Sequence, residues 1–343
     1  MPPVRTRCAV TLGDCAGIGP ELVLRALASG VLDNVCQLLI YGNRTILGRV
    51  ASAIGERLPD ALTVVPYNSR IGATLPHDRH ILFDFPFEAA VSVTPGTVQA
   101  ACGAQAYLWL CTAVRDILGH NLADAIVTAP LNKEALNLAG IHFPGHTEIL
   151  ADLTGTRDPC MMFYSPDLRV SLATIHEAIS EVPRLLTEAS LLRTIRLTHA
   201  ACKEEGISSP RLGVLALNPH AGEQGLFGHE EQSVIIPALE KAKAEGIAAF
   251  GPLVPDTAFA WLRSRPASAP FDAYVAMYHD QGLIPFKMVA FDTGVNVTLG
   301  LPLIRTSPDH GTAFDLAWQG KASPSSFFSA LSLAARMSRQ NRP

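Results

Sequence analysis

Three apolar, β-rich runs in this chain each lead into a histidine, and that recurrence narrows the folds open to it. The runs are 169–175 before His176, 211–217 before Asn218-Pro219-His220, and 273–278 before His279. They are mostly apolar, as expected of strands covered by helices on both faces of a parallel sheet. In an open α/β sheet, ligands bind in the crevice at the carboxyl ends of the strands. Three imidazoles delivered there form a donor set for one divalent metal, with a coordination position left for substrate. The chain has 11 histidines, and imidazole serves many ends. It is the shared setting of these three that points to a metal-assisted enzyme.

The rest of the sequence follows the same rhythm. Further strands are expected at 7–12, 37–41, 125–128, 160–164 and 295–299. Helices are expected at 21–28, 97–118, 188–205, 230–245, 257–264 and 326–337. Such alternation is the pattern of an α/β fold with a largely parallel sheet. At 343 residues, 48% hydrophobic and 17% charged, the chain can bury one large core or two. The Pro- and Ser-rich stretch 263–271 reads as a loop. A formal net charge of −4 with no basic run excludes wholesale nucleic-acid binding. No stretch reaches the ~20 apolar residues of a membrane span. Seven cysteines without a CxxC pair fit neither a disulfide framework nor a thiolate zinc site; free thiols suit the cytoplasm. The N-terminal apolar run is too short for a signal peptide.

Four motifs carry further chemistry. The first strand runs into Gly13-Asp14-Cys15-Ala16-Gly17-Ile18-Gly19-Pro20-Glu21. Its glycines permit a tight turn and close backbone approach, and the start of the following helix offers N–H groups to an anion. A plain strand-to-helix turn has the same glycines, and the GxGxxG fingerprint is absent. His146 and Thr147 follow Gly145 at a helix start, where either can bond a substrate oxygen; capping the helix is the competing role for Thr147. Lys287, Asn296 and Arg305 make a plausible phosphate or carboxylate clamp if the sheet converges them. In Ser307-Pro308-Asp309-His310-Gly311-Thr312-Ala313-Phe314-Asp315, Gly311 allows close approach. Asp315 opens a helical run, to cap it or to accept from a ribose hydroxyl.

With these motifs in hand, the chain resembles the 4-hydroxythreonine-4-phosphate dehydrogenase family of vitamin B6 biosynthesis. The motifs that carry the resemblance are GDCAGIGPE, TAPLNKEAL, FPGHTEILA, LNPHAGE, GPLVPDTAF, YHDQGLIPFK and GVNVTLGLPLIRTSPDHGTAFDLA, in order from Gly13 to Ala317. The resemblance implies two α/β/α domains of the isocitrate and isopropylmalate dehydrogenase type with a cleft between them. A discontinuous cofactor domain would span 1–130 and 251–343, and a substrate, metal and dimerisation domain 131–250. It implies NAD (or NADP), one divalent metal (Zn, Mg, Co or Mn), and a homodimer whose active site lies at the subunit interface with metal ligands from both chains. The implied ligands are His176, His220 and His279. The implied substrate contacts are His146, Thr147, Lys287, Asn296 and Arg305. The cofactor residues would be Gly13, Asp14, Gly17, His310, Gly311, Thr312 and Asp315. The general base is not identified, and Asp256 has no assigned role. The chain departs from the family pattern at Cys15, where proline is usual, at Glu177-Ala178-Ile179, where an apolar Ile/Leu-Pro-Leu is usual, and at Gln224.

The expected reaction is oxidation of 4-phosphohydroxy-L-threonine with decarboxylation to 3-amino-2-oxopropyl phosphate. D-threonate or D-erythronate 4-phosphate is the alternative substrate. A metal-dependent hydrolase, working without NAD, and a non-catalytic phospholigand-binding protein are the alternatives of another class.

Overall fold

The computed structural model describes residues 5–32, 34–60, 62–264 and 269–340. The described residues contain twelve strands: β1 (Thr6–Thr11), β2 (Cys36–Gly42), β3 (Thr63–Pro66), β4 (Ile81–Asp84), β5 (Ala125–Thr128), β6 (Cys160–Tyr164), β7 (Arg169–Leu172), β8 (Arg211–Leu215), β9 (Ala248–Leu253), β10 (Ala273–Ala276), β11 (Val295–Leu299) and β12 (Ile304–Pro308). The chain divides into two compact units. One is built from residues up to Pro159 and from Leu301 onward, the other from Cys160–Gly300.

In the first unit the strand order is β3-β4-β2-β1-β5-β12, and every pairing is parallel. β1 and β2 are buried along most of their length, with Cys8, Ala9, Val10, Leu38, Leu39 and Ile40 in the core. Helices Ala100–His120 and Ser325–Gln340 pack on β1 and β5. The order runs away from β1 in both directions, β2 on one side and β5 on the other. This is the topological switch point at which the carboxyl-end loops of an open sheet diverge and leave a crevice.

The second unit orders its strands β11-β6-β7-β10-β8-β9. β6 pairs antiparallel with both β11 and β7, while β7, β10, β8 and β9 run parallel. The three strands that precede the candidate metal histidines, β7, β10 and β8, are thus adjacent and parallel. They stop earlier than the apolar runs imply, at Leu172, Leu215 and Ala276. The remaining apolar residues of each run lie in the exit loop.

Several expectations need correction. Helix 230–245 is instead a π-turn, Glu231–Ile235, followed by an α-helix, Ile236–Ala244; Pro237 lacks the N–H that an unbroken α-helix would use there. The 257–264 helix is two short turns, Pro255–Ala258 and Ala260–Arg263. A helix not expected at all, His279–Ala290, runs through Gly282 and Pro285. Gly282 is there because a Cβ would meet Val170, Leu172 and Ala276 at 2.7–3.1 Å, so this helix lies unusually close on β7 and β10. Much of the 263–271 loop lies outside the described residues. The sequence boundaries at 130/131 and 250/251 differ from the two compact units. Helix Lys133–Leu138 packs on Ala100–His120 and stays in the first unit, and residue 250 falls inside β9.

Candidate functional site

In the first unit, the carboxyl ends of β1, β5 and β12 release three loops, and those after β1 and β12 carry all the candidate cofactor residues. The loop 12–18 is wholly buried. Asp14 N–H donates to Pro130 O at 2.9 Å, and Ile18 N–H to Thr312 O at 3.1 Å. A Cβ at Gly13, whose φ is +66°, would lie 2.2 Å from Pro130 O, and one at Gly17 2.9 Å from Thr312 O. These two glycines therefore make room for the protein's own neighbouring loops. Gly311 is different: nothing lies within 4 Å of the position a Cβ would take. His310 and Asp315 are exposed, and Asp315 sits in a single turn, Phe314–Leu316, rather than a longer helix. Asp14 is buried, and burial pushes its carboxyl up to about 6 against the pull of the Ala16 N–H that donates to it at 2.8 Å. Glu21, read only as part of a motif, is a structural clamp: its carboxylate accepts from Gly320 N–H at 3.2 Å and Ala322 N–H at 3.0 Å.

Arg305 is buried in β12 beside β5, 3% exposed, and its Nη2 donates to Thr128 Oγ1 at 2.8 Å. Burial lowers its guanidinium to about 10, opposed by the Glu148 carboxylate. Gly145 is the N-cap of helix His146–Thr154 and makes no side-chain cap bond. Thr147 is therefore inside the first turn and buried, which excludes the capping role. Burial, reinforced by the positive charge of Arg305, holds the half-buried His146 imidazole well below its ordinary 6.5. It is a neutral hydrogen-bonding group at physiological pH. A pocket of about 140 Å³ opens here, lined by Thr128, Lys133, His146, Ser307, His310 and Gly311 among others.

In the second unit, His176 and His279 approach with ring centroids 5.8 Å apart. Asp280 Oδ1 lies 2.7 Å from His279 Nδ1, which leaves Nε2 facing outward; a carboxylate on the far nitrogen is how metal-ligating histidines are commonly oriented. Both rings line a pocket of about 240 Å³ with Thr174, Glu177, Ile179 and Asp280. Among the described residues no three His, Cys, Asp or Glu side chains come close enough to hold a metal. His220 does not join the other two within this chain. It instead begins a left-handed turn. His220, Ala221, Gly222, Glu223 and Gln224 have φ of 54°, 56°, 76°, 44° and 58°, a conformation that costs non-glycine residues roughly 1–2 kcal/mol each. Buried Glu231 anchors the entry to it, accepting from Leu217 N–H at 2.9 Å and Asn218 N–H at 2.8 Å. The donor types and the oriented His279 fit a divalent cation.

Lys287 lies on helix His279–Ala290 with its Nζ 5.4 Å from the centre of the Phe291 ring. Asn296 is in β11, opposite Phe163 of β6. Asp256 is exposed in the turn Pro255–Ala258. Lys133 and Glu231 are the residues sequence reasoning did not single out. Lys133 stood inside a quoted motif; Glu231 gave no signal, since an acidic residue in a helix reads as solvated surface.

Comparison with known proteins places this geometry. The sequence pattern of the family described as pyridoxal phosphate biosynthetic protein PdxA matches residues 34–334. The chain belongs to this family. It is 44% identical to the 4-hydroxythreonine-4-phosphate dehydrogenase of Geobacter metallireducens, over 99% of this chain and 97% of that one. It is 41% identical to the D-threonate 4-phosphate dehydrogenase of Pectobacterium atrosepticum, over 96% and 98%. The crystal structure of 4-hydroxythreonine-4-phosphate dehydrogenase from Klebsiella pneumoniae superposes with a TM-score of 0.85 at 39% identity, covering 98% of this chain and 99% of that one. The α/β fold read from the sequence is thus the fold of this family. No helix among the described residues is long and apolar enough to cross a membrane.

Proposed function

We propose that the protein is a nicotinamide- and divalent-metal-dependent dehydrogenase. It oxidises 4-phosphohydroxy-L-threonine and releases carbon dioxide, giving 3-amino-2-oxopropyl phosphate. The observation that carries this reading is the likeness to dehydrogenases of that name over the full length of the chain, 44% identical in the Geobacter case. In the overall reaction a hydride passes from the carbon bearing the secondary hydroxyl to the nicotinamide, the hydroxyl proton is lost, and the resulting β-keto acid sheds carbon dioxide.

The residues divide the work. His176, His220 and His279 would hold the metal, which when bound supplies Lewis-acid polarisation of the substrate's hydroxyl oxygen. Arg305, Lys287 and Asn296 bind the phosphate. His146, kept neutral, and Thr147 orient the substrate by hydrogen bonding. The cofactor, NAD or NADP, is assigned to the loops after β1 and β12. Gly13, Asp14 and Gly17 fix the turn there, and His310, Gly311, Thr312 and Asp315 receive the dinucleotide.

A homodimer with ligands from both chains is supported by what surrounds the three histidines. Ile179 near His176 is 73% exposed, Leu226 near His220 is 73% exposed, and Met288 on the helix of His279 is 83% exposed. Exposed large apolar side chains beside each candidate ligand are what a partner contact would bury, and a two-fold interface would also supply the ligand that each chain lacks.

The experiment is a screen of 4-phosphohydroxythreonine, D-threonate 4-phosphate and D-erythronate 4-phosphate with NAD and with NADP, following reduced cofactor by absorbance. Reduction with 4-phosphohydroxythreonine preferred by about tenfold or more, a difference of about 1.4 kcal/mol in the transition state, is the expected result. An equal preference for a sugar acid would move the substrate to that of the Pectobacterium relative. Substrate consumption without cofactor reduction would point to a hydrolase and overturn the reading.

A further inference from the structure

The first-unit pocket holds a cation with no assigned role. Lys133 projects from the first turn of helix Lys133–Leu138, and its placement is firmly built. Asn132 caps that helix by accepting from Ala135 N–H at 2.8 Å. Helix Ala100–His120 lies so close that a Cβ at Gly103 would fall 2.3 Å from the Ala135 backbone. The aliphatic stem passes Gly145, whose missing Cβ would sit 3.8 Å from Lys133 Cε. The ammonium makes no ion pair or hydrogen bond within the described residues.

Arg305 and His146 flank the pocket in different electrostatic settings. Arg305 faces the Glu148 carboxylate, and His146 is held neutral. Thr128 Oγ1 already accepts a hydrogen bond from Arg305, so its own O–H is the part left to donate. Ser307 and His310 add polar atoms at the rim. The result is one cation and several donors around about 140 Å³. Pockets for whole drug-sized ligands run to roughly 300–1,000 Å³, so this one suits a single functional group. Compact ammonium groups bind oxyanions as point charges.

We propose that Lys133 is a substrate-binding residue, and that its pocket takes one oxyanion of the substrate, phosphate or carboxylate. The identity of that substrate rests on the dehydrogenase reading; the presence of an anion site does not. Two variants test it, Lys133→Gln and Lys133→Arg, both at an exposed position that leaves the fold intact. Calorimetric titration with inorganic phosphate and with acetate reads the site without turnover. Lys133→Gln should weaken one of the two probes by about tenfold or more, the scale of a lost charged hydrogen bond, and Lys133→Arg should restore most of it. In steady state, Lys133→Gln should raise KM for 4-phosphohydroxythreonine by a similar factor, with kcat and KM for NAD little changed. If the increase vanishes with unphosphorylated 4-hydroxythreonine, the bound group is the phosphate; if it persists, it is the carboxylate. Unchanged probe affinities together with an unchanged substrate KM overturn the proposal. So does a rise in KM for NAD alone, which would give the pocket to the cofactor. If the wild-type enzyme turns over no phosphorylated hydroxy acid, the dehydrogenase reading fails, and the two titrations still decide whether Lys133 holds an anion.

Discussion

Glu231 holds Asn218 twice, accepting its backbone N–H on Oε1 at 2.8 Å and its side-chain amide on Oε2 at 3.0 Å. Asn218 stands two residues before His220, so a buried carboxylate sets the entry to the left-handed turn that presents a candidate metal ligand. Glu231→Ala would leave the Leu217 and Asn218 N–H groups without their acceptor, at roughly 1–3 kcal/mol for each that stays buried. The variant should melt at a lower temperature and bind less zinc than wild type. His220→Ala, by contrast, should lose bound metal while keeping the wild-type melting temperature of the metal-free protein. Metal analysis beside thermal unfolding separates the two; full metal occupancy in His220→Ala would remove His220 from the ligand set.

Arg305→Ala should raise KM for a phosphorylated substrate by about 10–150-fold, the range of a lost charged hydrogen bond of roughly 1.5–3 kcal/mol. The same compound without phosphate should be affected far less. Equal effects on both would mean that Arg305 serves the site only through Thr128 and Glu148.

Asp14 gives a pH signature. Its carboxyl is raised from 3.8 to about 6 by burial, so the folded state holds a proton that the unfolded chain has already released. Stability therefore falls as pH rises from about 4 to 6 and stays reduced above that. Asp14→Asn keeps an acceptor for the Ala16 N–H and removes the buried charge. Near pH 8 the variant should be more stable than wild type by up to roughly 3 kcal/mol, with the gap closing toward pH 4. Denaturant unfolding at the two pH values reads the difference directly; a gap that does not depend on pH would contradict the assignment.

Glu177 lines the His176–His279 pocket, where its carboxylate can meet the substrate's ammonium. Glu177→Gln should lower kcat/KM for 4-phosphohydroxythreonine by about two- to fivefold, as for an exposed ion pair, and leave D-threonate 4-phosphate unaffected. Parallel losses on both substrates would place Glu177 outside the recognition of the amine.

Met288→Glu places a charge on the exposed apolar face that Ile284 and Phe291 share. Sedimentation velocity should show wild type as a dimer and the variant shifted to monomer, with weaker metal binding. A wild-type monomer would remove the shared-site reading.

What the sequence made legible was governed by burial pattern. β5, β6 and β11 were readable to the residue because their apolar runs coincide with their hydrogen-bonded spans. β12 was not, since Ile304-Arg305-Thr306-Ser307-Pro308 is a largely polar string whose strand character comes from long-range pairing, with β5 among its partners. Helix His279–Ala290 was hidden by Gly282 and Pro285, which count against a helix locally and are tolerated because β7 and β10 pack against it. At the candidate site, His176 and His279 were foreseen as neighbours. The turn at His220 was not, because four of its residues without glycine's freedom, His220, Ala221, Glu223 and Gln224, take left-handed φ, and the Glu231 that anchors the turn's entry is silent in composition.

The return of β12 to β5 also bears on how the chain comes off the ribosome. The first unit lacks the strand carrying Arg305 until residues past 308 have been made, while all of the second unit has by then been synthesised. Domains tend to fold as their chain emerges, and pairings distant in sequence form slowly. The order of assembly should therefore invert the order of synthesis: the inserted unit matures first, and the edge bearing Thr128 and Arg305 closes last. Until it closes, β5 has an unpaired flank, and that nascent edge is where chaperones would be expected to engage this protein.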